Sequence, residues 1–320
     1  MKVGIDVMGG DFAPKACIGG AILAHKEMSP ADRIVLIGDQ DIIRNSLLAE
    51  NANPQDFDIV HAPDVIGMGE HPTKALLKKP HSSIGVGFNL LKNHKIDAFS
   101  GAGSSGAMLV GAIFSVNAIP GIIRPCTSGF IPQEDGGVSV LLDIGTNPDV
   151  KPDVLHQFAI LGSLYADYVH KIKNPRVGLL NIGGEEEKGN LACQAAYKLM
   201  KNSKNFNFVG NVEGRDLYKG KADVIVCDGF TGNIVLKQAE AMYRMMLKRG
   251  LIDDYFRRFN YENYGGTPLL GVNASVILGH GISNDVANKN MILLARDVFN
   301  AKLPQRIKNA INDYAITNEV

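Results

Sequence analysis

The chain has 320 residues, with 33 Lys+Arg against 33 Asp+Glu, a formal net charge of zero and 45% apolar residues. This excludes a nucleic-acid binder working through a global basic field, and it is not the charge-rich composition of a disordered chain. Glycine is in excess, 35 residues or about 11% against a usual share of about 7%, without a collagen-like period. Apolar runs of strand length alternate with helix-period segments from the first residue. Strands are predicted over 2–7, 33–38, 57–61, 95–99, 138–143, 176–181, 205–209 and 222–228. Helices are predicted over 15–26, 41–50, 83–93, 105–117, 153–171, 190–200, 233–249, 285–300 and 305–315. Such alternation predicts an α/β fold with a largely parallel sheet and helices on both faces.

The run Asn147-Pro-Asp-Val-Lys-Pro152 is the expected seam. It divides the chain into an α/β subdomain over 1–150 with the first glycine loops and a second over 151–274. Residues 275–320 form a C-terminal helical part expected to pack back on the first. No charged residue lies between Asp97 and Arg124, a length that suggests a membrane span. A polar glycine loop, Asn117 and Pro120 interrupt it, so it reads as a buried helix. With a strand-like start and no leader, a soluble cytoplasmic protein is expected. Cys17, Cys126, Cys193 and Cys227 form no CxxC pair, so neither a metal framework nor a disulfide scaffold is expected.

Five polar glycine loops carry the candidate chemistry. In Asp6-Val-Met-Gly-Gly-Asp11, Gly9 and Gly10 let the backbone turn and present N–H groups. Asp6 and Asp11 either orient a polar ligand or cap the next helix. Gly101-Ala-Gly-Ser-Ser-Gly106 matches GxGxxG between a strand and a helix. No acidic residue follows where a dinucleotide ribose would need one. Gly103, Ser104, Ser105 and Gly106 therefore support an anion at a helix N-terminus rather than NAD specifically. Ser105 sits in a GxSxA pattern, short of a nucleophile elbow.

In the loop from Asn181 to Gly189, Lys188 stands among three glutamates, as an anion ligand or a charge partner. In Asp228-Gly-Phe-Thr-Gly-Asn233, Gly229, Thr231, Gly232 and Asn233 are positioned to hold a phosphate. In Gly279-His-Gly-Ile-Ser-Asn284, a histidine flanked by glycines is hard to explain as packing, so His280 is a functional candidate, with Asn284 beside it. The residues alone point to an α/β enzyme handling phosphate or a phosphorylated ligand.

Asp6-Val-Met-Gly-Gly-Asp-Phe-Ala-Pro14, Gly178-Leu-Leu-Asn-Ile-Gly-Gly-Glu-Glu-Glu-Lys-Gly189, Gly210-Asn-Val-Glu-Gly-Arg-Asp216, Asp228-Gly-Phe-Thr-Gly-Asn233 and Tyr264-Gly-Gly-Thr-Pro-Leu-Leu-Gly271 resemble the bacterial phosphate acyltransferase family, in order and over essentially the whole chain. The resemblance implies a fold like phosphotransacetylase and, distantly, isocitrate dehydrogenase, with two subdomains around a cleft. It implies transfer of a long-chain acyl group from acyl carrier protein to inorganic phosphate, giving acyl phosphate for phospholipid synthesis through a glycerol-3-phosphate acyltransferase. No cofactor and no metal are implied.

By the same resemblance, Thr231, Gly232, Asn233 and Lys188 contribute to the phosphate pocket, and His280 and Asn284 lie by the thioester. Asp6 and Asp11 orient groups behind them. The family's Ser-Ala-Gly-Asn-Thr-Gly-Ala loop reads here Gly101-Ala-Gly-Ser-Ser-Gly-Ala107, without the Asn amide. A homodimer is expected. The basic, aromatic segment 244–259 is expected to dock a second subunit or the acidic carrier protein, ahead of peripheral contact with the inner face of the membrane. The alternative is a nicotinamide-dependent dehydrogenase of the related fold.

Overall fold

The computed structural model describes residues 1–318, with side chains through Tyr314. In chain order the elements are β1 (Lys2–Asp6), α1 (Lys15–Glu27), β2 (Arg33–Gly38), α2 (Gln40–Ala49), β3 (Asp58–His61), α3 (Pro72–Lys78), α4 (Ser83–Lys92), β4 (Ala98–Gly101) and α5 (Ser105–Ser115). There follow β5 (Cys126–Pro132), β6 (Val138–Leu142), α6 (Pro152–Tyr168), β7 (Arg176–Asn181), α7 (Leu191–Lys201), β8 (Asn207–Glu213), β9 (Val224–Val226), α8 (Gly229–Lys248) and α9 (Asp254–Arg257). The last are β10 (Gly266–Leu270), β11 (Ser275–Gly279), α10 (Asp285–Asn300) and α11 (Leu303–Asn318).

The chain forms two compact units. Unit 1 comprises Met1–Asn117 and Tyr261–Asn300, and unit 2 comprises Ala118–Asn260 and the chain from Ala301 onward. The boundaries therefore fall elsewhere than at 150 and 274. Strands β5 and β6, expected in the first subdomain, pair with each other, and β6 runs parallel to β9 of unit 2. Residues 275–320 also divide. Strand β11 pairs with β4, and α10 packs on α1 in unit 1, whereas α11 packs on α6 in unit 2.

In unit 1 the strands run in the order β3, β2, β1, β4, β11, all parallel, with β10 antiparallel to β11. The strands are nearly continuous apolar runs, as expected where both faces of a parallel sheet are covered. Beneath α4 and α5, Phe88 meets Phe99 edge-on at 5.0 Å within a cluster that includes Ile37, Ile84, Met108 and Val276. Gly20 lies inside α1 despite its cost in helix propensity. A Cβ there would sit 2.4 Å from the Cβ of Asn288, so glycine allows α10 to approach.

Unit 2 has the order β5, β6, β9, β7, β8, with β5 antiparallel to β6 and the rest parallel. Its sheet packs around Ile131, Leu141, Val212 and Ile225. In both units helices begin at polar caps just past strand ends. Asp39 caps α2, Ser104 caps α5 and Asp228 caps α8. These caps satisfy amides that the first helical turn leaves without partners. Among the described residues no helix is long and apolar enough to cross a membrane.

Candidate functional site

Register positions the loops of unit 1. Asp6 at the end of β1 lies opposite Gly101 at the end of β4, and Leu278 of β11 lies opposite the same Gly101. The loops leaving these three strands therefore emerge side by side at the carboxyl edge, where open α/β sheets bind ligands. They are locked together by backbone. The Asp11 N–H donates to the Gly281 carbonyl at 2.7 Å. A Cβ on Gly9 would meet the Gly103 Cα at 2.7 Å, and one on Gly279 would meet the Ala102 Cβ at 3.1 Å.

Asp6 is 1% exposed at the base of this cluster. Its Oδ1 accepts the Met8 N–H at 3.0 Å, while Oδ2 makes no hydrogen bond of normal geometry. Burial pushes its pKa up; the nearby Ser83 hydroxyl and the Met8 and Gly9 amides pull the other way without cancelling it.

Ser104 caps α5, its Oγ accepting the Ala107 N–H at 3.3 Å. The Ser105 and Gly106 amides of the same first turn donate to no acceptor among the described residues. Ser105 is exposed and Gly106 is half-buried beside Pro72, so this helix end is partly open to solvent with two N–H groups left for an anion. In the third loop the His280 ring lies edge-on against Tyr261 at 5.4 Å. The His280 N–H donates to the Ser283 Oγ at 3.2 Å, and the Tyr261 hydroxyl donates to the Ile282 carbonyl at 2.8 Å. Asn284 Oδ1 accepts the Ala287 N–H at 3.0 Å, which makes it a cap of α10. Unit 1 thus gathers Asp6, Gly9, Gly10, Asp11, Gly103, Ser104, Ser105, Gly106, His280 and Asn284.

The remaining candidates belong to unit 2, and most of their polar groups are engaged internally. Helix α8 begins at Gly229 rather than at 233, because Asp228 caps it. The Asp228 carboxylate accepts both the Thr231 N–H at 2.7 Å and the Thr231 hydroxyl at 2.9 Å. Gly229 N–H goes to the Asn147 carbonyl and Gly232 N–H to the Asp228 carbonyl. Asn233 Nδ2 donates to the Ile144 carbonyl at 3.0 Å. A Cβ on Gly232 would fall 1.9 Å from the Asp143 carbonyl oxygen, which accounts for that glycine by close packing. Asn181 ties its own loop, donating to the Lys188 carbonyl and to Asn211 Oδ1 while accepting the Ile182 N–H. Lys188 is exposed, and its ammonium joins no ion pair among the described residues.

The best-connected carboxylate of unit 2 is Asp143, which sequence reasoning noted only as a strand end. It is fully buried. It accepts from the Thr127 amide and hydroxyl, the Gly145 and Thr146 amides, and the Asn147 amide and side chain, at 2.6–3.3 Å. The run Asp143-Ile-Gly-Thr-Asn147 has the pattern of an Asp turning its own backbone, and that is the signal that marks it.

The segment 244–259 is only partly available to a partner. Arg258 donates to the Gln133 and Gly137 carbonyls, and Tyr255 to the Pro132 carbonyl at 3.1 Å. Arg244 pairs with Glu240 at 3.5 Å. Met245, Leu247 and Leu251 are exposed.

Two units, each with a mostly parallel sheet and polar glycine loops at strand ends, make this a phosphotransacetylase-type α/β fold. The solved phosphotransacetylase of Streptococcus pyogenes matches with a TM-score of 0.64 at 18% identity, covering 93% of this chain and 94% of that one. That of Staphylococcus aureus matches at 0.63 and 15% identity, with the same coverage. A family model described as a fatty acid synthesis protein matches residues 1–251. The phosphate acyltransferase of Desulforamulus reducens is 42% identical over 98% of both chains, and that of Dictyoglomus turgidum 39% over 98% of both. The chain belongs to the phosphate acyltransferase family and is an acyltransferase.

Proposed function

We propose that this acyltransferase moves a long-chain fatty acyl group from acyl carrier protein to inorganic phosphate, and that a glycerol-3-phosphate acyltransferase consumes the acyl phosphate for phospholipid synthesis. The observation that carries this reading is the open N-terminus of α5, with the unbonded Ser105 and Gly106 amides, in a loop cluster that also holds His280. A phosphate dianion suits those amides and the positive end of the helix. One phosphate oxygen attacks the thioester carbon, a C–O bond forms, the C–S bond breaks, and the sulfur leaves as a thiolate that takes a proton. Phosphate is already ionised near neutral pH, so catalysis rests on positioning and on stabilising the oxyanion.

His280 is the group proposed to donate to the oxyanion or the departing sulfur. Asn284 keeps its side-chain amide N–H groups for the same carbonyl while its oxygen caps α10. Asp6 and Asp11 hold the loops in register. In unit 2, Lys188 is proposed as an anion-binding cation of its own loop. Thr231, Gly232, Asn233, Gly229 and Asn181 shape their loops instead, because their hydrogen bonds are internal. Segment 244–259 is proposed to dock the acidic carrier protein or a second copy in a homodimer. Flotation with anionic vesicles, with and without that segment, tests the membrane alternative.

The test of function is incubation with long-chain acyl carrier protein and phosphate, with hydroxylamine to trap acyl phosphate. Phosphate-dependent hydroxamate is expected. Its absence would reject the reading.

A further inference from the structure

Unit 2 carries a half-open pocket that the acyl-transfer reading leaves unused. It has about 340 Å³ among His156, Lys198, Asn202, Ser203, Lys204 and Tyr314. His156, on α6, is 3% exposed, and its Nδ1 has no hydrogen-bond partner among the described residues. Its ring is flanked by Phe206 at 5.3 Å and Tyr314 at 5.0 Å. An apolar side chain would pack among those rings without the desolvation cost of an unpaired nitrogen, so this histidine is not explained by packing.

The rim is cationic. Among the described residues the Lys198 and Lys204 ammonium groups enter no ion pair, whereas Lys201 between them is held by Glu186 at 2.7 Å. Lys198 lies in the last turn of α7, whose carbonyl end favours cations, so the helix itself offers no amides to an anion here. Binding would rest on the ammonium groups, with Asn202 and Ser203 as further donors. The volume exceeds that of a bare phosphate and falls within the range of small-molecule sites.

We propose that this cavity is a second ligand site, for a small organic phosphate. The phosphoryl group lies on Lys198 and Lys204, and the organic part lies against the His156 and Tyr314 rings. Nothing in this assignment depends on where acyl transfer occurs.

The test titrates the full-length protein with phenyl phosphate and follows the ring C–H signals of His156 by NMR, assigned by their loss in His156→Gln. A saturable shift of those signals is expected. The double variant Lys198→Ala/Lys204→Ala should raise the Kd at least about tenfold, with each lost charge-assisted bond contributing to the change. Acyl phosphate formation without phenyl phosphate should be unchanged in that variant, so a failed acyltransferase assay and a failed binding assay remain separate results. No shift up to about 10 mM ligand, or an unchanged Kd in the double variant, would overturn the site. Equal affinity for inorganic phosphate would overturn its organic component. Should His156→Gln fail to fold, the exposed lysine variant decides the question alone.

Discussion

The Asp11 N–H donates to the Gly281 carbonyl at 2.7 Å and so fastens the first glycine loop to the loop that carries His280. Asp11 and Gly281 are remote in sequence, and the bond between them fixes the position of a proposed catalytic side chain by backbone alone. His280→Ala leaves that bond intact. It should lower kcat at least about tenfold, equivalent to about 1.4 kcal/mol of transition-state stabilisation. Steady-state kinetics with acyl carrier protein substrate checks this. An unchanged kcat would remove His280 from the chemistry.

Gly9 tests the packing beneath the same site. A Cβ there would lie 2.4 Å from Asp6 Oδ2 and 2.7 Å from the Gly103 Cα. Since Gly103 is backbone, the two loops must separate. Gly9→Ala should therefore cost about 1–3 kcal/mol of stability, as overpacking does, and should raise KM for phosphate. Thermal melts and phosphate titration measure the two effects. A variant with wild-type values in both would show that the loops have room to spare.

Asp6 gives the pH dependence. Burial raises its folded-state pKa above the ordinary 3.8. Between the unfolded and the folded pKa the native state binds more protons than the unfolded chain, so its contribution to stability falls as pH rises through that window. Below the unfolded value there is no penalty, and above the folded value the penalty is complete. Asp6→Asn removes the ionisation. The stability of this variant relative to wild type should thus improve from about pH 4 upward. Denaturant unfolding across pH tests the sign, and a relative stability that falls over the same window would contradict it.

Asp143 is the polar anchor of unit 2. Asp143→Ala leaves the Thr127, Gly145, Thr146 and Asn147 donors without their buried acceptor. The loss should reach about 3–5 kcal/mol, on the scale of breaking a buried charged network. Urea unfolding would show it as a lower midpoint. A change below about 1 kcal/mol would mean that water replaces the carboxylate.

The alternation of apolar strands with amphipathic helices was legible because period and length separate them, and β1, β2 and β7 fall close to their expected places. Strands β5, β10 and β11 were not assigned. The first two contain Gly129, Pro132 and Pro268, residues that argue locally against a strand, and pairing with β6 and β11 overrides that preference. Domain boundaries were obscured for the same reason, since β5 and β6 join their unit through pairing rather than through sequence order. Loops rich in glycine were visible as candidates. Which of their polar groups stay open was not, because Asp228 closing on Thr231, and Ser105 remaining free, are facts of cap geometry. Asp143 went unread as a network centre because five of its six donors are backbone amides or sit before it in the chain, as Thr127 does.

The central claim is that phosphate, rather than water or a protein nucleophile, accepts the acyl group. Long-chain acyl carrier protein incubated with the protein and rising phosphate, followed by hydroxylamine trapping, measures it directly. Hydroxamate that rises and saturates with phosphate, in step with release of the free carrier thiol, is the predicted result. Thiol release at the same rate without phosphate, or no hydroxamate at any phosphate concentration, would contradict the account.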